Sequence, residues 1–443
     1  MKNTKWIVPL CLTVAMGGVV KAEAGTTVEK NDASVSGYTV HFSYADEKAT
    51  NVKLLGGFQF YEEGDVNLYG RGFALSASDS YKNYVLDPQE WKPGMELRHI
   101  FDTGYETELQ RDEETGEWTA SFDLPGGCYM YQYSVSYDNG ENWETVADPT
   151  NTAFSNEWGA GQTRSKFYVP YDEKQGDDLY YDWSWATPVE DEQAAGTIEG
   201  FTYETPDGVQ NAEIYLPAGY EDSAKPYKVL YLAHGGGGTE GDWFWQGNAG
   251  NILDRLFAEG KAEPFVVVCM NNAAFNSLFI TEESPNVSNN ADYYRYCVTN
   301  IKENLIPYVE EHYNVSTAVE DKALAGLSQG AKLTNFALID EPDAFSNYGM
   351  FSCSVSWAWP EQEDYSAYQD SRIYLAAGFA DHYMISNGYH GDLDCTLVGF
   401  KEDLEAAEIP YNDGGNYVTA DGAHDWFTWQ QLLKDYVENF LWK

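Results

Sequence analysis

The chain has 443 residues, of which 71 are Asp or Glu and 26 are Lys or Arg, so its formal net charge is −45 at pH 7. A surface of this charge repels nucleic-acid phosphates and anionic lipids, and it disfavours polyanionic substrates. Neutral polysaccharide remains compatible as a partner, because 34 Tyr and 14 Trp residues supply flat apolar faces on which sugar rings can stack. The length allows two or three domains with ample core.

Residues 1–24 have the layout of a secretory signal peptide. Lys2 and Lys5 form a basic start, an apolar stretch covers residues 7–20, and Ala-Glu-Ala follows as a small-residue cleavage pattern. The apolar stretch is too short for a membrane span, which takes about 20 residues. We therefore expect a secreted protein whose mature chain starts near Gly25.

Residues 34–170 show the pattern of an all-β domain. Alternating apolar and polar residues at 38–44, 117–122 and 129–137 predict strands, and the last of these runs would place its tyrosines on one face. The Asp-Asn-Gly sequence at 138–140 has the composition of a hairpin turn. Several short strands with regular turn signals favour a β-sandwich.

Part of this region resembles a known module. Glu117 and the Pro-Gly-Gly turn at 125–127, followed by Ala-Asp-Pro-Thr-Asn at 147–151, resemble an early-set, immunoglobulin-like domain of the carbohydrate-binding type found in glycogen-branching enzymes. Such domains also stand in front of bacterial carbohydrate esterases. The resemblance implies either glycan binding or a spacer that packs on the next domain, and residues 56–95 depart from it as an expanded loop region. Residues 171–195 are acidic and interrupted, and we predict a linker there.

Residues 196–443 alternate between strand and helix patterns. Unbroken apolar runs at 229–233 and 265–270 are typical of parallel strands that are covered on both faces. A helical pattern at 252–259 separates them, and a longer one covers 293–313. This alternation predicts an α/β domain with a doubly wound sheet.

The sequence Gly-Leu-Ser-Gln-Gly at 326–330 has the G-x-S-x-G pattern of a nucleophile elbow. It stands between a predicted strand at 322–325 and a predicted helix at 331–338, as an elbow requires. Ser328 is therefore the candidate nucleophile. The pentapeptide alone would also fit an ordinary glycine-rich loop, so the other groups that a nucleophilic serine needs must be found in the chain.

A serine nucleophile needs a general base, and on an α/β-hydrolase sheet this histidine comes last in the chain. His424 follows a predicted strand at 417–419 and precedes a predicted helix at 426–441. It is the one histidine of seven that has both the chain order and the strand-loop-helix setting. We predict that His424 is the base; the alternative is a surface histidine at a helix N-terminus.

The predicted acid of this triad is Asp381. It follows the carboxyl end of a predicted strand at 373–377, and open α/β sheets have their ligand-binding sites at that end of the strands. Asp392 and Asp394 are rivals, although acids at a helix start are common for capping. Asp425 adjoins the histidine and cannot easily face its Nδ1.

Backbone N–H groups should stabilise the oxyanion. The residue after the nucleophile, Gln329, supplies one of them. The second is expected from the sequence His-Gly-Gly-Gly-Gly at 234–238, where glycines let the backbone approach a substrate oxygen closely. Gly236 is the predicted donor and Gly235 the alternative, whereas His234 is expected to support the loop. A phosphate-binding loop is excluded, because the Lys-Ser/Thr pair of a P-loop is missing.

Over residues 196–442 these motifs make the chain similar to the feruloyl and acetylxylan esterases of carbohydrate esterase family one. The similar segments are 234–238, 304–310, 326–330 and 422–426. The resemblance implies an α/β-hydrolase fold, a triad of Ser328, Asp381 and His424, and ester hydrolysis through an acyl-enzyme, without a cofactor. Five cysteines outside the signal segment make neither a disulfide scaffold nor a metal motif.

The implied substrate is an acylated plant cell-wall polysaccharide such as arabinoxylan. Aromatic residues that follow predicted strand ends favour a feruloyl over an acetyl group, with core packing as the alternative for each. Acetylxylan esterase or acyltransferase activity on the same fold, and glycan binding by a vestigial hydrolase domain, remain open. The aromatic candidates for substrate binding are Trp243, Phe244, Trp245, Phe275, Phe279, Trp357 and Trp359.

Overall fold

The computed structural model describes most of the chain as two compact units that meet in sequence at Thr187 and Pro188. The predicted signal peptide lies outside the described residues, and the predicted domain bounds remain predictions. Within the described ranges, no helix is long and apolar enough to span a bilayer. These ranges are 25–58, 60–61, 84–85, 87–97, 105–151, 154–155, 163–176, 181–282, 286–353, 365–378, 381, 397–420, 422 and 424–443.

The first unit is built from short antiparallel strands. Its described strands are β1 Thr27–Lys30, β2 Tyr38–Tyr44, β3 Asn51–Gly56, β4 Phe60–Tyr61, β5 Tyr84–Val85, β6 Glu96–Leu97, β7 Tyr105–Glu108, β8 Gln110–Arg111, β9 Trp118–Phe122, β10 Gly127–Ser136, β11 Glu144–Val146, β12 Phe154–Ser155 and β13 Thr163–Val169. One sheet has the order β1-β2-β9-β8, and a second has the order β12-β13-β10-β3-β7 with β11 paired to β10. The two-residue strands β4, β5 and β6 form a small third sheet.

The two larger sheets share one apolar core. Phe42 of the first sheet makes edge-to-face contacts with Tyr131 and Phe167 of the second, at ring-centroid distances of 5.6 Å and 5.4 Å. Alternate residues of β2 and β3 are buried, as expected for strands with one face on a core. The immunoglobulin-like topology remains a prediction.

One prediction for this unit is wrong in detail. Strand β10 ends at Ser136, and Tyr137 is 49% exposed, with its hydroxyl hydrogen-bonded to Asp46, instead of sharing the buried face of the other tyrosines in its run. Asn139 and Gly140 have positive φ values, so the chain turns away from the strand path at this point.

Part of the segment predicted as a linker packs through its aromatic side chains. Tyr181 and Trp183 are buried, and the Tyr181 ring lies edge-on to Trp91 at 6.0 Å. Short 3-10 turns occur at Glu173–Gln175 and Ser184–Ala186.

The second unit is organised by an eight-stranded sheet of order β14-β15-β17-β16-β18-β19-β20-β21. Strands β14 and β15 form an antiparallel hairpin at one edge, β15 is antiparallel to β17, and the pairs from β17 to β21 are parallel. The strands are β14 Thr197–Thr205, β15 Gly208–Leu216, β16 Val229–Ala233, β17 Val266–Met270, β18 Lys322–Leu327, β19 Asn347–Phe351, β20 Arg372–Gly378 and β21 Val418–Ala420. The helices described are α1 Asp242–Trp245, α2 Ala249–Ala258, α3 Asn276–Phe279, α4 Ala291–Asn300, α5 Ile306–His312, α6 Gln329–Asp340, α7 Leu397–Ala406 and α8 Trp426–Asp435.

The prediction of an α/β-hydrolase-like sheet is confirmed. The order of its strands shows where a ligand-binding crevice lies. Every residue of β16, β17, β18 and β19 is buried, which explains the unbroken apolar runs of β16 and β17. The chain passes from β16 to β17 on one side and then to β18 on the other, so the strand order reverses at β16. Ligands of open α/β sheets bind outside the carboxyl ends of the strands at such a point.

The long helix predicted at 293–313 is interrupted. A π turn at Ile301–Leu305 separates α4 from α5. Pro307 lies at the start of α5 and has no N–H for the α-helical bond to the preceding turn, which accounts for the wider turn before it. The helix predicted at 426–441 likewise ends in a π turn, at Tyr436–Phe440.

Candidate active site

Ser328 lies between the end of β18 and the start of α6. Its φ of 50° and ψ of −113° are strained for a residue with a side chain. The Ser328 N–H donates to the Phe351 carbonyl at 3.0 Å, and its own carbonyl accepts the Lys332 N–H at 3.1 Å. These bonds fix the turn at the crevice, and the serine remains only half-buried.

The glycines on either side of Ser328 are needed because the backbone is crowded there. A Cβ at Gly326 would lie 2.5 Å from the carbonyl carbon of Gly330. One at Gly330 would lie 2.5 Å from the Ala233 carbonyl oxygen and 2.6 Å from that of His234. The elbow therefore packs directly on the end of β16, where the glycine loop begins.

We expect Gly330→Ala to lower the free energy of unfolding of the second unit by about 1–3 kcal/mol, because the new methyl group meets main-chain atoms that cannot move aside. The measurement is the midpoint of its thermal transition by calorimetry. Gly200→Ala in β14 is the matched control, since no atom lies within 4 Å of the added Cβ. Equal midpoints for both variants would contradict the crowding argument.

His424 bridges the serine and an aspartate. Its Nε2 lies 3.0 Å from Ser328 Oγ, and its Nδ1 lies 2.9 Å from Asp381 Oδ2. Asp381 is 1% exposed and His424 7% exposed, so the pair is shielded from water. Because a carboxylate only accepts, Nδ1 carries the proton that it donates to Asp381, and Nε2 accepts from the serine hydroxyl.

The loop that carries His424 is held by the start of α8. Asp425 caps this helix, since its Oδ1 accepts the Thr428 N–H at 3.0 Å, and it does not compete for the imidazole. The Trp429 ring meets His424 edge-to-face at 5.0 Å, and its Nε1–H donates to the Ser352 hydroxyl at 3.0 Å. The imidazole is thus fixed by packing as well as by hydrogen bonds.

The glycine loop begins directly at the end of β16. His234 is 1% exposed, and its Nδ1–H donates to the Gly235 carbonyl at 2.6 Å. Burial lowers the pKa of His234 to about 4, so the ring is neutral at neutral pH. The Gly238 N–H also donates to the Gly235 carbonyl, at 3.3 Å. This geometry fits the predicted supporting role of His234.

The candidate oxyanion donors lie on facing elements. Gln329 is the first residue of α6, where N–H groups have no partner within the helix. Its side-chain Oε1 lies 3.5 Å from the position that a Cβ of Gly236 would take, so the loop and the elbow are in close approach at Gly236. The choice between Gly236 and Gly235 as second donor stays a prediction.

The aromatic substrate candidates differ in accessibility. Trp243 is 1% exposed and donates its indole N–H to the Ala233 carbonyl, and Phe275 is 2% exposed and packs on Tyr296. Phe244 is also buried, whereas Trp245 and Phe279 are half-buried. Trp357 and Trp359 lie outside the described residues. Burial favours core packing for Trp243 and Phe275, and a substrate role for the seven residues remains a prediction.

Sequence reasoning missed two buried side chains that lie close to this site. Trp429 is a helix residue whose contact with His424 depends on where α8 begins. Asp242 is fully buried close to the glycine loop, and the signal for it was a single acid directly before the aromatic run 243–245. Within the described ranges, no group of three His, Cys, Asp or Glu side chains could hold a metal ion.

Comparison with known families adds an independent observation. Residues 204–440 match the family model described as Putative esterase, and this range contains all three residues of the hydrogen-bonded chain from Ser328 to Asp381. The endo-1,4-beta-xylanase/feruloyl esterase of Xylanibacter ruminicola is 25% identical over 388 residues, which is 85% of this chain and 47% of the relative. The chain thus spans about half the length of that relative.

Two solved structures are also similar. One is a variant of the feruloyl esterase module from Clostridium thermocellum in complex with sinapinate, with 22% identity, a TM-score of 0.45, and coverage of 58% of this chain and 92% of the other. The other is the enterobactin esterase FES from Shigella flexneri, with 15% identity, a TM-score of 0.47, and coverage of 94% and 96%. Both TM-scores are below 0.5, so neither structure adds to the assignment.

Proposed function

Since the chain belongs to the Putative esterase family, we propose that it is a serine esterase that hydrolyses acyl esters on plant cell-wall polysaccharide. The observation that carries the proposal is the continuous hydrogen-bonded chain from the half-buried Ser328 hydroxyl through His424 to Asp381. A hydroxyl, an imidazole and a shielded carboxylate in this order are what nucleophilic acyl transfer requires.

In the acylation step, Ser328 Oγ attacks the ester carbonyl while His424 Nε2 takes its proton. Asp381 holds Nδ1–H, so the imidazole presents its unprotonated nitrogen to the serine and is stabilised when it becomes charged. The imidazolium then gives its proton to the leaving sugar oxygen. The acyl group remains on Ser328 as an ester.

In the deacylation step, water enters the position that the alcohol has left. His424 accepts a proton from this water, which attacks the acyl carbonyl, and Ser328 recovers its proton as the acid is released. Both tetrahedral intermediates place negative charge on the former carbonyl oxygen. The N–H groups of Gln329 and of Gly236 or Gly235 would bind that oxygen, and removal of one such donor typically costs about 10²–10³-fold in rate.

The acyl group that we favour is feruloyl. The name of the Xylanibacter relative joins xylanase and feruloyl esterase activities, and the match to this relative covers 85% of the present chain. The half-buried rings of Trp245 and Phe279, on the segments that follow β16 and β17, offer apolar surface to an aromatic acid. A net charge of −45 also suits a neutral polymer better than an anionic one.

Substrate profiling of the full chain tests the acyl group. Incubated with feruloylated arabinoxylan and with acetylated xylan, the protein is expected to release ferulate at least about 10-fold faster, because an aromatic acid buries far more apolar area than acetate does. Chromatographic quantification of the two free acids is the measurement. Release of acetate alone would replace feruloyl by acetylxylan esterase activity, and transfer of the acyl group to an added sugar without free acid would indicate an acyltransferase.

A further inference from the structure

A buried carboxylate lies where the glycine loop ends. Asp242 is the first residue of α1 and is 0% exposed. Its Oδ2 accepts the Thr239 N–H at 3.1 Å, and its Oδ1 accepts the Thr239 hydroxyl at 3.0 Å. Thr239 directly follows the last glycine of the loop, so one carboxylate fixes the residue at which the loop leaves the site.

Gly238 is enclosed between two buried side chains. A Cβ at this position would lie 2.4 Å from Asp242 Oδ2 and 2.5 Å from His234 Nδ1. Since His234 also binds the Gly235 carbonyl, the four glycines are held at their start by the imidazole and at their end by the carboxylate. Four consecutive glycines have little conformational preference of their own, so their shape depends on these anchors.

Burial of the Asp242 carboxylate at this position is energetically unfavourable. Burial raises the pKa of Asp242 to about 7, against the opposing effect of the Thr239 hydrogen bonds, and the nearby Glu240 raises it further. Burial raises the pKa of Glu213 on β15 to about 7 as well. A strongly perturbed acid beside a catalytic crevice is a candidate functional group, and here the contacts with Thr239 and Gly238 say which part of the site it would serve. The ionisable groups that face Asp242 from its own turn, from β15 and β17 and from the glycine loop are Glu240, Glu213, Cys269 and His234.

We propose that Asp242 is a positioning residue for the oxyanion hole: its ionised carboxylate binds Thr239 and thereby keeps the glycine loop where its N–H groups face the reacting carbonyl oxygen. The inference rests on the proposed esterase function. Asp242 touches no reacting atom and acts through the backbone of the loop. Protonation removes one of its acceptors, so the loop is correctly held only above the pH at which Asp242 ionises.

The main test is Asp242→Asn in the full chain. The amide keeps the size of the side chain, but it has a single acceptor oxygen, so it cannot accept both the Thr239 N–H and the Thr239 hydroxyl. We expect kcat for 4-nitrophenyl esters to fall on the order of 10- to 100-fold, because small misplacements of oxyanion donors are costly, and KM to change by less than about threefold, because ground-state binding is not affected.

The pH profile distinguishes positioning from a purely structural role. In the wild type, kcat/KM should fall as decreasing pH protonates Asp242, and Asp242→Asn should remove this contribution from the acidic side of the pH profile. Glu240→Gln removes a like charge from the same turn, so it should lower the pKa of Asp242 and extend activity to lower pH. Thr239→Val removes the hydroxyl that donates to the carboxylate, so it should raise the pKa of Asp242. The loss of activity on the acidic side of the profile should then occur at higher pH.

A second readout separates this proposal from the choice of substrate. A fluorophosphonate probe reacts with an activated serine, with fluoride as leaving group, and its rate also depends on the oxyanion donors. Asp242→Asn should slow the labelling of Ser328 by a similar factor. Rapid wild-type labelling without ester turnover would overturn the substrate class and leave the Asp242 test in place. Wild-type kinetics, labelling and pH profile in Asp242→Asn, or shifts of the same sign in Glu240→Gln and Thr239→Val, would overturn the positioning role.

Discussion

Replacing Ser328 with alanine is expected to lower kcat for feruloyl esters by a factor on the order of 10⁴–10⁶, because no other group then forms the acyl-enzyme. The fold should persist, since Ser328 contributes mainly backbone hydrogen bonds to its surroundings. The measurement is ferulate release from methyl ferulate at pH 7.5, together with the affinity of the inactive variant for a feruloylated oligosaccharide. Affinity within a factor of about three of the wild-type KM would show that binding survives.

Ser371→Ala is the matched control for this substitution. Ser371 is buried and directly precedes β20, at the amino end of the strand and therefore away from the crevice. Its loss should leave kcat unchanged. If the Ser328→Ala variant turned over substrate at the wild-type rate, the assignment of the triad would be wrong. Glycan binding by a wild-type protein without any turnover would favour the vestigial-hydrolase alternative.

Asp381→Asn is expected to lower kcat by roughly 10⁴-fold while the site keeps its shape. The amide can donate to His424 Nδ1 and so stabilises the tautomer whose Nε2 carries the proton. That nitrogen cannot accept the proton of Ser328. The variant should keep its thermal midpoint close to that of the wild type, so kcat and unfolding are measured on the same preparation.

Asp392→Asn and Asp394→Asn are the controls for the acid. These aspartates were the rivals of Asp381 in the sequence, and they lie outside the residues that the structure describes. Both variants should keep kcat within a factor of about three, because Asp381 already holds the acid position beside His424 Nδ1. A large loss in either one, with activity retained in Asp381→Asn, would reassign the acid.

The elbow was predictable because its requirements are local. Ser328 needs a strand end, a helix start and two glycines, and all of these are visible within a dozen residues. The crowding at Gly330 gives the physical reason for the second glycine of the G-x-S-x-G pattern. The pattern could be recognised in the sequence without this reason. That Asp381 and His424 would lie next to Ser328 was predictable in a different way, from chain order on a sheet with strands that could be recognised in the sequence.

The anchors of the site could not be predicted from the sequence, because they depend on distances across the fold. Asp242 reads as one more acid in a chain that has 71 of them, and only its burial against Gly238 distinguishes it. The contact between Trp429 and His424 depends on the residue at which α8 begins. Tyr137 was misplaced because a strict alternation does not reveal where a strand turns away.

The order of strands in the second unit also makes the site depend on the folding of the whole parallel part of the sheet. The glycine loop and the elbow flank the centre of the sheet, whereas the base follows β21 at its far edge. Parallel sheets are closed by contacts between distant segments, which form slowly. A partly folded second unit in which β21 and α8 have not docked therefore lacks the histidine that bonds to Ser328, even if the elbow and the glycine loop have formed. During refolding from denaturant, we therefore expect ester hydrolysis to return only after β21 and α8 have docked on the sheet.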